Sequence, residues 1–230
     1  MKQIVIDAGG CSWQRIPVKT KLILKDDDLL GAIGDGLKES DVTLFPDDIL
    51  FISEKAVGAS QGRYYLLDDG SLHPRRLAVL LSRFVTKTPH GIGLGMPETM
   101  ECALRECGTL RILFSAFIGA LGKLFGRKGG FYRIAGSKAR SIDGPTNGTI
   151  PPFNRAVSLA PDNPNGVSEI IAKRFSCKAA VVDINDLGGN ILGVYPPDLN
   201  KELLIEILRD NPLGQGTEST PAGIIRQVSS

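Results

Sequence analysis

The chain has 230 residues, 42% hydrophobic and 23% charged, an ordinary globular composition with enough length to bury a core. Its 27 basic and 25 acidic side chains leave a net charge of +2, too little for the broad positive field that holds a nucleic-acid backbone, so any phosphate must be bound locally. The opening MKQIVIDAGGCSW is neither a signal-peptide core nor a transit peptide, and the expectation is a cytoplasmic protein. Cys11, Cys102, Cys107 and Cys177 form no CxxC pair and stand apart from His73 and His90, which points to reduced structural thiols and away from zinc.

Residues 16–24 (IPVKTKLIL) alternate and are rich in β-branched and aliphatic side chains, the pattern of a strand. Asp26, Asp27 and Asp28 then precede an apolar period at Leu29, Leu30, Ile33 and Leu37, as helix caps and first-turn acids do. Residues 49–52 (ILFI) form the continuous apolar run of a strand covered on both faces. It empties into 53–63 (SEKAVGASQGR), small, polar and glycine-bearing, which reads as a loop just past a strand's carboxyl end. Residues 74–84 make a helix with Leu77, Leu80, Leu81 and Phe84 on one face, and Pro97 opens another that Gly108 stops. The most apolar stretch, 110–125, is 16 residues long with Arg111 and Lys123 inside it, too short to span a bilayer comfortably. A buried or partly buried helix is the favoured reading, an amphipathic helix on a membrane surface the alternative.

Residues 131–134 read as a strand, and 145–164, with five prolines, as a long irregular connection. A helix at 168–175, a buried strand at 179–183, a helix at 199–209 with Leu203, Leu204, Ile207 and Leu208 inward, and a strand at 222–226 complete the chain. Strands and helices mix without strict βαβ alternation. The expected class is therefore α+β or irregular α/β, a mixed sheet with flanking helices and not a classical doubly wound sheet. One unit over 1–230, or two interlocked subdomains, is the expected organisation.

Residues 181–189 (VVDINDLGG) carry a buried strand directly into Asp183, Asn185 and Asp186 and then glycines. Hard oxygen ligands fixed by a strand, with glycines leaving room for phosphate, suit Mg2+ or Mn2+; a tight turn capped by Asx side chains is an equally open reading. In 140–149 (RSIDGPTNGT), Asp143 is a lone carboxylate among glycine, proline and hydroxyl or amide side chains, and turn punctuation is the simpler reading. Residues 126–140 concentrate Arg127, Lys128, Arg133, Lys138 and Arg140 among glycines, which suits a polyphosphate or a carboxylate substrate or, more plainly, a solvated basic loop and hairpin. The GxGxG of 90–97 lacks the preceding strand of a dinucleotide fold and reads as an entry loop. At 211–221 (NPLGQGTESTP), a plain loop or a nucleotide-facing one, Gln215 or Glu218 is placed to reach a metal or phosphate.

In their order along the chain these pieces resemble the coenzyme F-420 γ-glutamyl ligase family. The resemblance runs through T-x-L-I, D-D-L, D-I-L-x-I-S-E-K-x-V and x-G-R between Thr20 and Arg63, and the I-D of Ile142 and Asp143. It continues with L-A-P-D-N-P-N-G at 159–166, V-V-D-I-N-D at 181–186, and G-x-G-T-E-S-T-P-A-x-I-I-R at 214–226. It implies a homodimeric α/β fold of unusual topology, GTP or ATP as co-substrate, Mg2+ or Mn2+, and an acyl-phosphate route to an amide bond between L-glutamate and a small acceptor. By position Asp143 and Asp183 are the metal carboxylates, converging on shared cations, with Asn185, Asp186 and Glu218 as helpers. Lys21, Leu22, Ile23, Glu54, Lys55, Asn147, Gln215, Gly216 and Thr217 line the nucleotide, and Arg140, with Arg127 or Arg133, holds the acceptor or glutamate. No nucleic-acid or membrane partner is implied.

The chain departs from the family pattern in three places. Ala59 stands for a usual lysine, with Gln61 for the acid that follows; Ile184 replaces a hydroxyl residue after the strand aspartate; and 91–136 has no clear counterpart, marking a divergent insert or lid region. The acceptor stays open between an F-420-0-like deazaflavin and a folate-like pterin. Competing with a ligase are a non-catalytic nucleotide-binding regulator on the same scaffold and an interaction protein that uses its apolar helix.

Overall fold

The computed structural model describes residues 4–85, 93–126, 130–146, 149–185, 188–214 and 219–228. They fall into two compact units, Met1–Arg63 with Pro161–Ser230, and Tyr64–Ala160.

In the first unit Gly9 and Gly10, at φ of 58° and 77°, turn β1 (Val5–Ala8) back onto β2 (Cys11–Val18) as a two-residue hairpin that only glycine-like backbone allows. Asp28 accepts a hydrogen bond from Gly31 N and so starts α1 (Leu29–Glu39), which buries Ile33 and Leu37. β3 (Ile49–Ser53) sends Leu50 and Ile52 into a core shared with α1, and Ile49 and Phe51 into the core of the opposite face. Both faces are covered, which is why the run is apolar throughout. Ser53 ends the strand and caps α2 (Glu54–Ser60), its Oγ accepting from Ala56 N at 3.3 Å.

The second unit holds β4 (Tyr64–Leu66), α3 (Arg76–Ser82), α4 (Pro97–Glu106), α5 (Thr109–Leu124), α6 (Gly130–Ala135), α7 (Ser137–Arg140) and β5 (Ala156–Ser158). β4 and β5 pair antiparallel, and the helices pack around Leu94, Met100, Leu104, Ile112 and Ile142. Glu101 is buried here between Arg75 and Arg105.

The chain then returns to the first unit through α8 (Pro164–Phe175), β6 (Lys178–Asn185), β7 (Gly188–Tyr195), α9 (Lys201–Leu208) and β8 (Ala222–Val228). The sheet order is β1-β2-β8-β3-β6-β7, and only β3 and β6 run parallel. Helices α1, α2 and α8 pack on one face and α9 on the other. The result is the expected α+β architecture, a mixed sheet with flanking helices. Two ion pairs fasten its periphery. Buried Arg15 pairs with Asp210 and donates to the Ile207 carbonyl, while Arg226 binds Asp48 through two hydrogen bonds of 2.9 and 2.6 Å.

Several local expectations change. The strand read at 16–24 stops at Val18, because the chain leaves the sheet there and Thr20 N bonds instead to the Ser219 carbonyl at 3.0 Å. Segment 53–63 is mostly the helix α2, whose small residues Ala56, Val57 and Ala59 are buried against the sheet. Segment 131–134 is helical, since Phe131 packs on the bare α-carbon of Gly119 in α5 and no strand offers it an edge. The connection 145–164 contains a 3-10 turn (Phe153–Arg155) and β5. Leu80 on α3 and Phe84 just past its end are exposed, and Ala78 and Ser82 take the buried positions. β1, β4, β5 and β7 carry too little pattern of their own to be read. Among the described residues no helix is long and apolar enough to cross a membrane.

Candidate functional site

Pairing across the first unit aligns Val18 of β2 with Ala222 of β8, Ala222 with Ile52 of β3, and Ile52 with Val181 of β6. Everything immediately beyond this row lies along one edge of the sheet, the carboxyl edge of its parallel pair. β2 delivers Lys19 to Ile23 there, and β8 is entered through Ser219, Thr220 and Pro221. β3 passes into Glu54, and the Ser53–Val182 pair places Asp183 one residue further on β6. Ligands of open sheets with parallel strands collect at such an edge because loops and helix starts converge on it.

Short hydrogen bonds fix the loops. Ser53 N donates to the Pro221 carbonyl at 2.8 Å, and Ser219 Oγ donates to the Thr20 carbonyl at 2.9 Å. Asp27 accepts from Lys21 Nζ at 2.7 Å and from Leu24 N at 2.8 Å, contacts that hold its carboxyl below the usual carboxylate range. Of the nucleotide residues expected at 21–23, Lys21 is therefore pinned by Asp27, Leu22 is half-buried, and Ile23 belongs to the core, so only its backbone can face a ligand. Glu54 is buried at the start of α2, and Lys55 is exposed beside it.

Asp183 is half-buried and paired with Asn190, inside a strand that continues to Asn185 before meeting β7. It is thus not the strand tip that the sequence suggests. Val181 packs on the α1 and α8 side while Val182 and Ile184 pack on the α9 side, so alternation turns Asp183 toward the side that α2 covers. Ile184, lying over Gly189, occupies the opposite face. Asn185 contributes its backbone to β6, and Asp186, Gln215, Gly216, Thr217 and Glu218 lie outside the described residues.

Asp143 belongs to the other unit. Its N–H and carbonyl exchange hydrogen bonds of 3.0 and 2.9 Å with Ser158, so the residue bridges to β5 instead of opening the Asp-Gly-Pro turn expected of it. Burial raises the Tyr132 hydroxyl pKa; the Leu94 backbone and Arg140 pull it back and Asp143 pushes it further up. Tyr132, exposed Arg140 and half-buried Asp143 therefore share one electrostatic neighbourhood. Tyr132 was not among the residues picked from sequence, and an aromatic in a basic, glycine-rich segment is the only signal it gave. Asn147, Arg127 and His90 lie outside the described residues, and Arg133 is exposed on α6.

The motif at 159–166 has a structural task. Asn163 Oδ1 accepts from Gly166 N at 3.1 Å to cap α8, and Asn165 Oδ1 accepts from Val194 N at 3.1 Å to hold β7. Ala59 is buried on α2, and Gln61 caps that helix's end with its amide bonded to Asp162. Among the described residues no group of three or more His, Cys, Asp or Glu converges at metal-ligand spacing. The donors that the edge does present, Asp183 and Glu54, are carboxylate oxygens, a chemistry that fits a hard divalent cation.

The family model for F420-0:γ-glutamyl ligase matches residues 17–195, from β2 through the end of β7, and so contains Lys21, Glu54, Asp143 and Asp183. The chain belongs to the F420-0:γ-glutamyl ligase family. As a member of the F420-0:γ-glutamyl ligase family it is a ligase, with glutamate and an acceptor as its substrates. The match spans the whole second unit, including 91–136, and stops before β8 and the 215–218 segment. Among curated proteins none matches the chain.

Proposed function

We propose that this F420-0:γ-glutamyl ligase family member consumes GTP or ATP to join the amino group of L-glutamate to a carboxylate of a small acceptor, a deazaflavin or a folate-like pterin. The observation supporting this most directly is the register of β3 and β6, which sets Asp183 beside the start of α2 and Glu54 on the carboxyl edge of the sheet. Mg2+ or Mn2+ would be held by Asp183 and Glu54, joined by Asp186 and Glu218. When bound, the cation neutralises crowded phosphate oxygens.

In the reaction the acceptor carboxylate attacks the γ-phosphorus, the nucleoside diphosphate leaves, and the acyl phosphate is attacked by the glutamate amine. Phosphate departs and the nitrogen loses its proton to give the amide. The chain's own part is positioning. Asp27 holds the Lys21 loop in place beside the edge, and Ser53, Pro221, Thr20 and Ser219 fix the backbone around it. In the second unit Arg140, with Tyr132 beside it, would grip the acceptor's or glutamate's carboxylate, and Asp143 is proposed for cation binding there. We place the enzyme in the cytoplasm as a homodimer, with neither nucleic acid nor membrane as partner. Ile184 lends the non-catalytic alternative no support, because its side chain lies on the face of the sheet away from Asp183.

The test is incorporation of labelled glutamate across a panel of deazaflavin and pterin acceptors, with GTP or ATP and Mg2+ or Mn2+. Incorporation with one acceptor, abolished by Asp183→Asn in a protein of unchanged melting temperature, is the expected result. A folded protein that labels no acceptor, or an Asp183→Asn variant of full activity, overturns the reading.

A further inference from the structure

Glu101 holds two arginines side by side at the surface of the second unit. Glu101 and Arg105 stand one turn apart on α4, acid before base, and Arg75 arrives as the residue that precedes α3. The Glu101 side chain is 2% exposed, whereas those of Arg75 and Arg105 are 50% and 41% exposed. Arg75 donates from Nε to both carboxylate oxygens at 3.0 Å and from its backbone N to Oε2 at 3.1 Å. Arg105 donates from Nε to Oε1 at 2.9 Å. The two guanidiniums thus meet at one oxygen, which keeps them adjacent.

Burying an acid does not require this arrangement. One arginine cancels the charge of one carboxylate, and an arginine that serves a carboxylate alone frequently grips it as a fork, with two nitrogens. Here each guanidinium uses a single nitrogen, Nε, and among the described residues Glu101 is the only acid that either one pairs with. The trio is left with one excess positive charge. Tyr65 braces Arg105 from the side: its ring centroid lies 5.9 Å from Cζ, and after Glu101 it helps to keep the guanidinium charged. Since a guanidinium has five N–H groups, most of the Nη hydrogens on both side chains are left to face water.

We propose that Arg75 and Arg105 form a binding site for one oxyanion group, a carboxylate or a phosphate of a small ligand, with Glu101 as the positioning residue that aligns them. A free arginine loses rotamer freedom when it closes on an anion; these two have lost it on folding, so the site is preorganised. Two cations are too few to follow a nucleic-acid backbone, and planar forks suit a single carboxylate or phosphate. The site uses neither Arg140 nor Asp143, and the proposal rests on no part of the ligase chemistry.

The Nε–H groups of Arg75 and Arg105 report on the site directly, because Glu101 holds them. Their resonances in the 15N-labelled full chain, assigned by their loss in Arg75→Lys and Arg105→Lys, are followed as inorganic phosphate or glutarate is added at constant ionic strength. Both should shift together and saturate in the millimolar range with at least one probe; saturation with phosphate alone identifies a phosphate site, and with glutarate alone a carboxylate site. Each lysine variant keeps the charge that Glu101 needs but not the fork. Far-UV circular dichroism should therefore be unchanged, while binding read at the remaining arginine weakens by about tenfold or more. Arg83→Lys, at an exposed arginine just past α3, should alter nothing. Resonances that ignore both anions, or that drift without saturating, overturn the proposal on the wild type alone. So do folded lysine variants that bind as tightly as the wild type.

Discussion

Gln61 and Asp162 hold each other through a reciprocal amide pair. Asp162 N donates to Gln61 Oε1 at 2.8 Å, and Gln61 Nε2 donates back to the Asp162 carbonyl at 3.0 Å. The pair ties the end of α2 to the entry of α8, with Arg63 reaching the Asp162 carboxylate at 3.3 Å. Only an amide can both accept and donate here. A carboxylate, which the family resemblance places at this position, loses the donated bond. Gln61→Glu should therefore cost about 0.5–1 kcal/mol at neutral pH, the modest figure reflecting an exposed side chain. Because a protonated glutamic acid recovers an O–H donor, the deficit relative to wild type should shrink as the pH falls below about 4. Urea midpoints of the two proteins at neutral and acid pH check this.

Glu101 predicts a second pH dependence, in the other unit. Burial pushes its carboxyl up, but hydrogen bonds from the Arg75 side chain and backbone and from Arg105 outweigh that and hold it below the usual range. A carboxyl depressed on folding contributes stability that is present above its unfolded pKa of about 4.3 and is lost as pH falls toward the folded value. Glu101→Gln should cost about 1–2 kcal/mol at neutral pH, held to that by the half-exposed arginines, and the difference should fade in acid. Thermal melts of both proteins from neutral to strongly acid pH decide it: a constant difference would mean that the carboxylate charge is irrelevant.

The parts of the fold that were legible carry their own signal. The runs at 49–52 and 179–182 are apolar because both faces of the sheet are covered, and Asp28 announces α1 by capping it. β1, β4, β5 and β7 take their existence from partners that a single segment does not reveal. α2 looked like a loop because Gly58 and Ser60 are loop-like residues, whereas its helicity comes from the Ser53 cap and the burial of Ala56 and Val57. At the site, Asp183 and Glu54 could be picked as chemistry-bearing side chains. Their meeting on one sheet edge could not be read, because it depends on a parallel pairing between strands separated by the entire second unit. Alternation along β6 puts Ile184, which replaces a hydroxyl residue of the family pattern, on the α9 side of the sheet.

Cys102 and Cys177 should be inert in the native state. Burial pushes Cys102 up to about 12 and Cys177 up to about 11, and raises Cys107 as well. At pH 8 a thiol titrating at about 12 is thiolate in roughly one molecule in ten thousand, and the thiolate is the reactive form. Iodoacetamide at that pH should leave Cys102 and Cys177 unlabelled while the protein is folded and modify both in urea, as read by peptide mass spectrometry. Labelling of Cys102 at the same rate in both conditions would contradict its place in the core of the second unit.

Gly193 tests how closely α8 sits on β7. A Cβ there would overlap the carbonyl of Pro164 and crowd the backbone N of Asn165, main-chain atoms that no rotamer change can move aside. Gly193→Ala must then displace the start of α8 or the strand, and with it the Asn165 bond to Val194 N. The expected cost is about 2–4 kcal/mol, the range of an overpacked core position with a lost hydrogen bond. Gly189→Ala, on the same strand, is the control, since its Cβ meets chiefly the Cδ1 end of Ile184, which can rotate away, and it should cost about 1 kcal/mol or less. Denaturant midpoints of the two variants order them, and a Gly193→Ala protein no weaker than Gly189→Ala would show that helix and strand do not approach this closely.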